Sequence, residues 1–144
     1  MTRRGRGRQS RPIPKTLYHT TSARKFQSIQ RRGLDPKVAG STHGLERRWI
    51  YLAIDKGQSQ AYDAFFPDED VVLLAIDVGA LDEARFGPDD QDLPDMLAQI
   101  GDEREWQDVD WLESLYLSGQ ATYDGLIPPN AIHVVERWHA GSFD

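Results

Sequence analysis

The chain contains no cysteine, which removes disulfides, thiolate metal sites and cysteine nucleophiles from consideration. It has no run of about eighteen apolar residues, so no membrane-spanning helix is expected. No glycine-rich loop opens a helix and no Gly-x-Ser-x-Gly elbow occurs; phosphate-loop and serine-hydrolase chemistry are therefore set aside. The histidines His19, His43, His133 and His139 are far apart and lack ligand spacing, so no metal is expected. Residues 1–34 hold ten Lys and Arg and not one acid, while all 23 acids fall in the remainder.

What is present fits one soluble domain. At 144 residues, 39% hydrophobic and 28% charged, the chain can bury one real core. Residues 1–15, with Arg3, Arg4, Arg6, Arg8, Arg11 and Lys15 among glycines, read as a disordered basic arm. Such an arm either attracts RNA or DNA phosphates through counterion release or serves as a solvated tail. The net charge of −6 leaves an acidic body, which argues against nucleic acid wrapping the whole protein. No apolar segment follows the arm, so no secretory signal is expected and a cytoplasmic address is.

Residues 16–144 are expected to form a single α+β domain. Thr16–Thr20 reads as a strand, and residues 23–32 as a helix capped by Ser22 and ended by Gly33. Residues 35–48 read as a loop, 49–54 as a second strand and 57–66 as a helix stopped before Pro67. Val71–Val78 is nearly all apolar and β-branched, which suits a strand buried on both faces. The acid-rich stretch 79–105 reads as loops with a short helix near residues 94–100, its acids forming a solvated face. A helix over 106–117 and strands over 120–123 and 132–138 follow. Trp106, Trp111 and Trp138 are expected in the core.

Taken singly, His19, Tyr51 and the hydroxyls of Thr20, Thr21 and Ser22 read equally as strand or cap residues. Their order says more. Leu17-Tyr18-His19-Thr20-Thr21-Ser22 precedes a helix and Arg32-Gly33-Leu34-Asp35-Pro36. Trp49-Ile50-Tyr51-Leu52-Ala53 comes next, and Gly125-Leu126-Ile127-Pro128-Pro129-Asn130-Ala131-Ile132 closes the domain. Together these resemble the motif strands of the ADP-ribosyltransferase superfamily, nearest to bacterial DNA-targeting toxins and RNA 2′-phosphotransferases. The resemblance spans about residues 16–138, leaving 82–114 unmatched.

The resemblance implies a split, curved β-sheet with short helices, gripping NAD as a substrate. It implies that His19 meets the nicotinamide-side ribose and that Thr20 backbone groups meet the carboxamide. Tyr51 would stack on the nicotinamide ring. It implies NAD-dependent transfer of ADP-ribose to protein or nucleic acid, with His19, Tyr51 and position 120 as the catalytic set. Position 120 would be a glutamate that stabilises the oxocarbenium charge, but this chain has Gln120. Losing a positioned charge of that kind costs about a hundredfold or more in rate. Glu113 or another acid could supply it. Two alternatives remain: an NAD-using 2′-phosphotransferase, which lacks the glutamate, and a degenerate module that binds a nucleotide or a partner without chemistry.

Overall fold

A computed structural model describes residues 11–39 and 49–141. The basic run before Arg11, the Arg47-Arg48 pair and His43 lie outside the described residues. The fold is α+β: among the described residues six strands form one antiparallel sheet, and the helices are short. The strands are β1 (Thr16–Ser22), β2 (Ile50–Ala53), β3 (Asp70–Asp77), β4 (Phe86–Pro88), β5 (Gln120–Tyr123) and β6 (Ile132–His139). Their order across the sheet is β4-β5-β2-β1-β3-β6. The α-helices are α1 (Ala23–Arg32), α2 (Pro36–Ala39), α3 (Lys56–Gln60), α4 (Leu93–Gln99) and α5 (Trp111–Ser118).

Local chemistry explains the first half. The Ser22 side chain accepts from Lys25 N at 3.2 Å, satisfying an otherwise orphaned donor at the start of α1. Gly33 ends that helix at φ 85, where a side chain is strained, and its N–H donates to Ile29 O. Asp55 caps α3 by accepting from Gln58 N. The expected helix over 57–66 starts in this way but tightens into a 3₁₀ turn over Ala61–Phe65. β3 lies between β1 and β6, and Val71, Val72, Leu73, Leu74 and Ile76 are all fully buried. The near-continuous apolar run is thus explained by burial on both faces.

Two expectations need correcting in the second half. The helix expected over 106–117 is broken: Trp106–Asp108 form a 3₁₀ turn, Val109 is extended, and Asp110 starts α5 by accepting from Leu112 N. An aspartate at that point competes for the backbone as a cap rather than continuing the turn. The strand β4 falls in a region read as loop. It pairs with β5, from Phe86↔Tyr123 to Pro88↔Ala121. Phe86 anchors it, stacked on Trp111 at 4.2 Å and edge-on to Tyr123 at 5.0 Å. As an edge strand it tolerates Pro88, which has no N–H to donate.

The main core joins Leu17, Ile50, Leu52, Leu74 and Ile76 from the sheet to Phe26 and Ile29 of α1 and Trp111, Leu112 and Leu115 of α5. Trp111 is therefore central. Trp106 and Trp138 are only half-buried, beside two smaller clusters. Near its start the described chain also touches the domain surface: the Tyr116 hydroxyl donates to Pro12 O at 3.0 Å, and Val78 N donates to Lys15 O. No helix among the described residues is long and apolar enough to cross a membrane.

One joint of the sheet is sparse. β1 runs along β3 in register at seven positions, and β2 along β5 at four. Between β1 and β2 the register is a single pair, Tyr18↔Ala53. Three strands lie on either side of this seam.

Candidate active site

The three motif positions sit on three successive strands at the middle of the sheet. His19 is on β1, Tyr51 on β2 and Gln120 on β5, where Gln120 pairs with Ala53 and Tyr51 with Thr122. At the seam, His19 Nδ1 lies 2.9 Å from the main-chain oxygen of Tyr51. A carbonyl only accepts, so Nδ1 carries the hydrogen and the neutral ring keeps Nε2 as an acceptor. Thr20, 6% exposed, shares a 2.8 Å hydroxyl contact with Ser59 of α3. That contact ties the strand bearing His19 to the helix that follows Tyr51.

Tyr51 is half-buried, and its phenol is the centre of a small network. Its hydroxyl donates to Asp90 Oδ1 at 2.5 Å and accepts from Trp49 Nε1 at 3.3 Å. Gln120 is buried, at 1% exposure. Its Nε2 donates to Asp92 Oδ2 at 2.6 Å, and its Oε1 accepts from the Tyr62 hydroxyl. A carboxylate can only accept, so this set of partners fixes which end of the amide is which.

Of the acids of the Asp89–Asp92 turn, expected on a solvated face, Asp92 is exposed and Asp90 half-buried, while Asp89 departs from the expectation. Asp89 is fully buried. It accepts from Gln91 N at 2.8 Å, Asp92 N at 3.2 Å and the Ser118 hydroxyl at 3.1 Å. Burial pushes its carboxyl above the usual range, a shift that these hydrogen bonds oppose and neighbouring Asp92 reinforces. The Asp89 N–H donates to Ser114 Oγ, and that hydroxyl donates to Gln120 O at 2.8 Å. Ser114 thereby joins the acidic turn to the strand bearing Gln120.

Asp89, Asp90, Asp92 and Tyr62 are site residues that the sequence reading missed. Asp-x-x spacing after a Gly-Pro pair is a turn signal in which the carboxylate bonds its own backbone. That signal marks the turn but does not say that it folds against β2 and β5. Glu113, the acid named to stand in for Gln120, points its carboxylate to another partner. Arg104 grips it at 2.7 and 2.9 Å and also pairs with Asp102. That guanidinium holds the Glu113 carboxyl below the usual range.

A depression of about 370 Å³ lies beside this network, with Trp49, Arg85, Phe86, Trp106 and Thr122 among its lining residues. His19, Tyr51 and Gln120 do not line it. Among the described residues no group of three or more His, Asp or Glu is placed to hold a metal ion. The chain matches no protein-family model and is similar to no curated protein.

Proposed function

We propose that the protein is an NAD-dependent ADP-ribosyltransferase, acting on a protein or nucleic-acid acceptor. The observation that carries this reading is the occurrence of His19, Tyr51 and Gln120 on adjacent strands, with the His19 ring bonded to the Tyr51 main chain. His19 and Tyr51, 32 residues apart in sequence, meet at the seam, and Gln120, 69 further on, stands one strand beyond it on β5. The seam itself, with its single register pair, suits the split sheet of that superfamily. In this reading NAD is the substrate, His19 and Thr20 hold its nicotinamide ribose and carboxamide, and Tyr51 supplies the stacking face.

The 2′-phosphotransferase alternative is less well supported. Asp90 and Asp92 contact Tyr51 and Gln120 directly, and their charges would repel an RNA 2′-phosphate. A non-catalytic binding role is favoured by one feature, the Gln120 amide being engaged at both ends.

Calorimetry with NAD, run beside chromatographic detection of released nicotinamide, separates the readings. Wild type should bind NAD and release nicotinamide slowly, and Tyr51→Ala should lose binding while keeping its circular dichroism. Binding without release would favour the non-catalytic role. Undiminished binding by Tyr51→Ala would remove Tyr51 from the site, and absence of binding by wild type would end the proposal.

A further inference from the structure

We propose that Asp92 supplies the negative charge that this site lacks at Gln120. This rests on the reading of the protein as an NAD-consuming transferase. Gln120 is buried and its amide is committed, donating to Asp92 and accepting from Tyr62. Asp92 is exposed. Of the two side chains, the carboxylate is therefore the one a substrate can reach, and Gln120 acts as its positioning residue.

The carboxylate is held by a closed circuit of hydrogen bonds. Gln120 Nε2 donates to Asp92 Oδ2 at 2.6 Å, a short contact between an amide N–H and a carboxylate oxygen. Asp92 N donates to buried Asp89, Asp89 N donates to Ser114, and Ser114 donates back to Gln120 O. The circuit ties the turn to β5 through Gln120 and to α5 through Ser114. A charge fixed in this manner needs no reorganisation at the moment of reaction, the condition under which it stabilises a transition state most.

The step it would serve is heterolysis of the bond between the nicotinamide nitrogen and ribose C1′. Nicotinamide leaves with the bonding pair, and positive charge spreads over C1′ and the ring oxygen beside the Asp92 carboxylate. An oxygen of water or of the acceptor then bonds to C1′, and its proton passes to solvent. Glu113 does not compete for this role, because Arg104 already holds it.

Nicotinamide release and NAD affinity measured on wild type, Asp92→Asn and Glu113→Gln test the proposal. Asp92→Asn should lower turnover about a hundredfold with NAD affinity retained, and Glu113→Gln should match wild type. Gln120→Glu added to Asp92→Asn rebuilds the same hydrogen bond with the charge moved to the buried position, so turnover should stay low; recovery would show that Asp92 serves only as a hydrogen-bond partner and would overturn the assignment. Wild-type turnover by Asp92→Asn overturns the assignment while leaving the NAD reading intact. A wild type that neither binds nor consumes NAD overturns both. Should Asp92→Asn fail to fold, the single Gln120→Glu variant decides. With Asp92 in service a second carboxylate beside it should not raise turnover, and a rise would overturn the assignment.

Discussion

Leu34 and Ile127 exchange both of their main-chain hydrogen bonds, each at 2.9 Å. The end of the first helix is thereby clamped to the Gly125–Pro129 segment, two motif stretches more than ninety residues apart. The clamp leaves no room at Gly33. A Cβ there would stand 2.2 Å from Ile127 O, on a backbone already at φ 85. Gly33→Ala should therefore cost at least about 2 kcal/mol from strain and displaced pairing. Urea unfolding checks this, and a midpoint equal to wild type would show that the clamp can shift freely.

Ser114 is fully buried and serves two backbone groups at once. Ser114→Ala leaves the Asp89 N–H and the Gln120 carbonyl each short of a partner, at about 1–3 kcal/mol for a stranded buried group. Ser118→Ala removes only one of the three bonds that Asp89 accepts, so it should cost less. The order of the two melting temperatures is the test, and the reverse order would refute the two-sided role of Ser114.

Asp89 gives stability a pH dependence of defined sign. Its folded carboxyl is raised above its unfolded value, chiefly by burial. Its contribution is therefore fully present below the unfolded value and is lost as pH rises through the raised folded one. As pH rises from the ordinary aspartate range through the raised folded value, unfolding free energy should carry a downward component in wild type that is absent from Asp89→Asn. The variant should also be less stable throughout, because an amide oxygen cannot replace two carboxylate oxygens for three donors. Parallel stability curves for the two proteins would contradict this.

Glu113 behaves in the opposite sense. Arg104 depresses its folded value, so the stabilisation is present above the unfolded value and is lost as pH falls through the folded one. The side chains of Arg104 and Glu113 are 40% and 28% exposed, and an ion pair of that kind contributes about 0–1 kcal/mol. Glu113→Gln should thus lower stability slightly at neutral pH, with the difference shrinking in acid and in high salt. A larger loss that ignored salt would point to packing instead.

The sequence made the first half of the fold legible because its signals are local. Ser22, Gly33 and Pro67 punctuate helices by their own backbone chemistry, and the apolar run of β3 records its burial on both faces. What could not be read depends on pairing at a distance. Phe86-Gly87-Pro88 has no strand pattern and becomes β4 only because Phe86 packs between Trp111 and Tyr123. Likewise the burial of Asp89 has no local signal, since nothing nearby in sequence says that Ser114 and Ser118 will meet it. His19, Tyr51 and Gln120 were found through motif order, whereas their neighbours Asp90, Asp92 and Tyr62 were not, because those contacts exist only once the sheet has formed.

The single register pair between β1 and β2 divides the sheet into two three-stranded ladders joined by one rung. Local opening should follow that line, as low-stability units separate where few bonds cross. Deuterium should accordingly enter amides along the seam sooner than those between β1 and β3. A molecule that touched His19 on one side and Tyr51 on the other would add a link to the register pair and the His19–Tyr51 bond already there. Its binding would then be visible as slowed exchange in both ladders at once, far beyond the atoms it contacts.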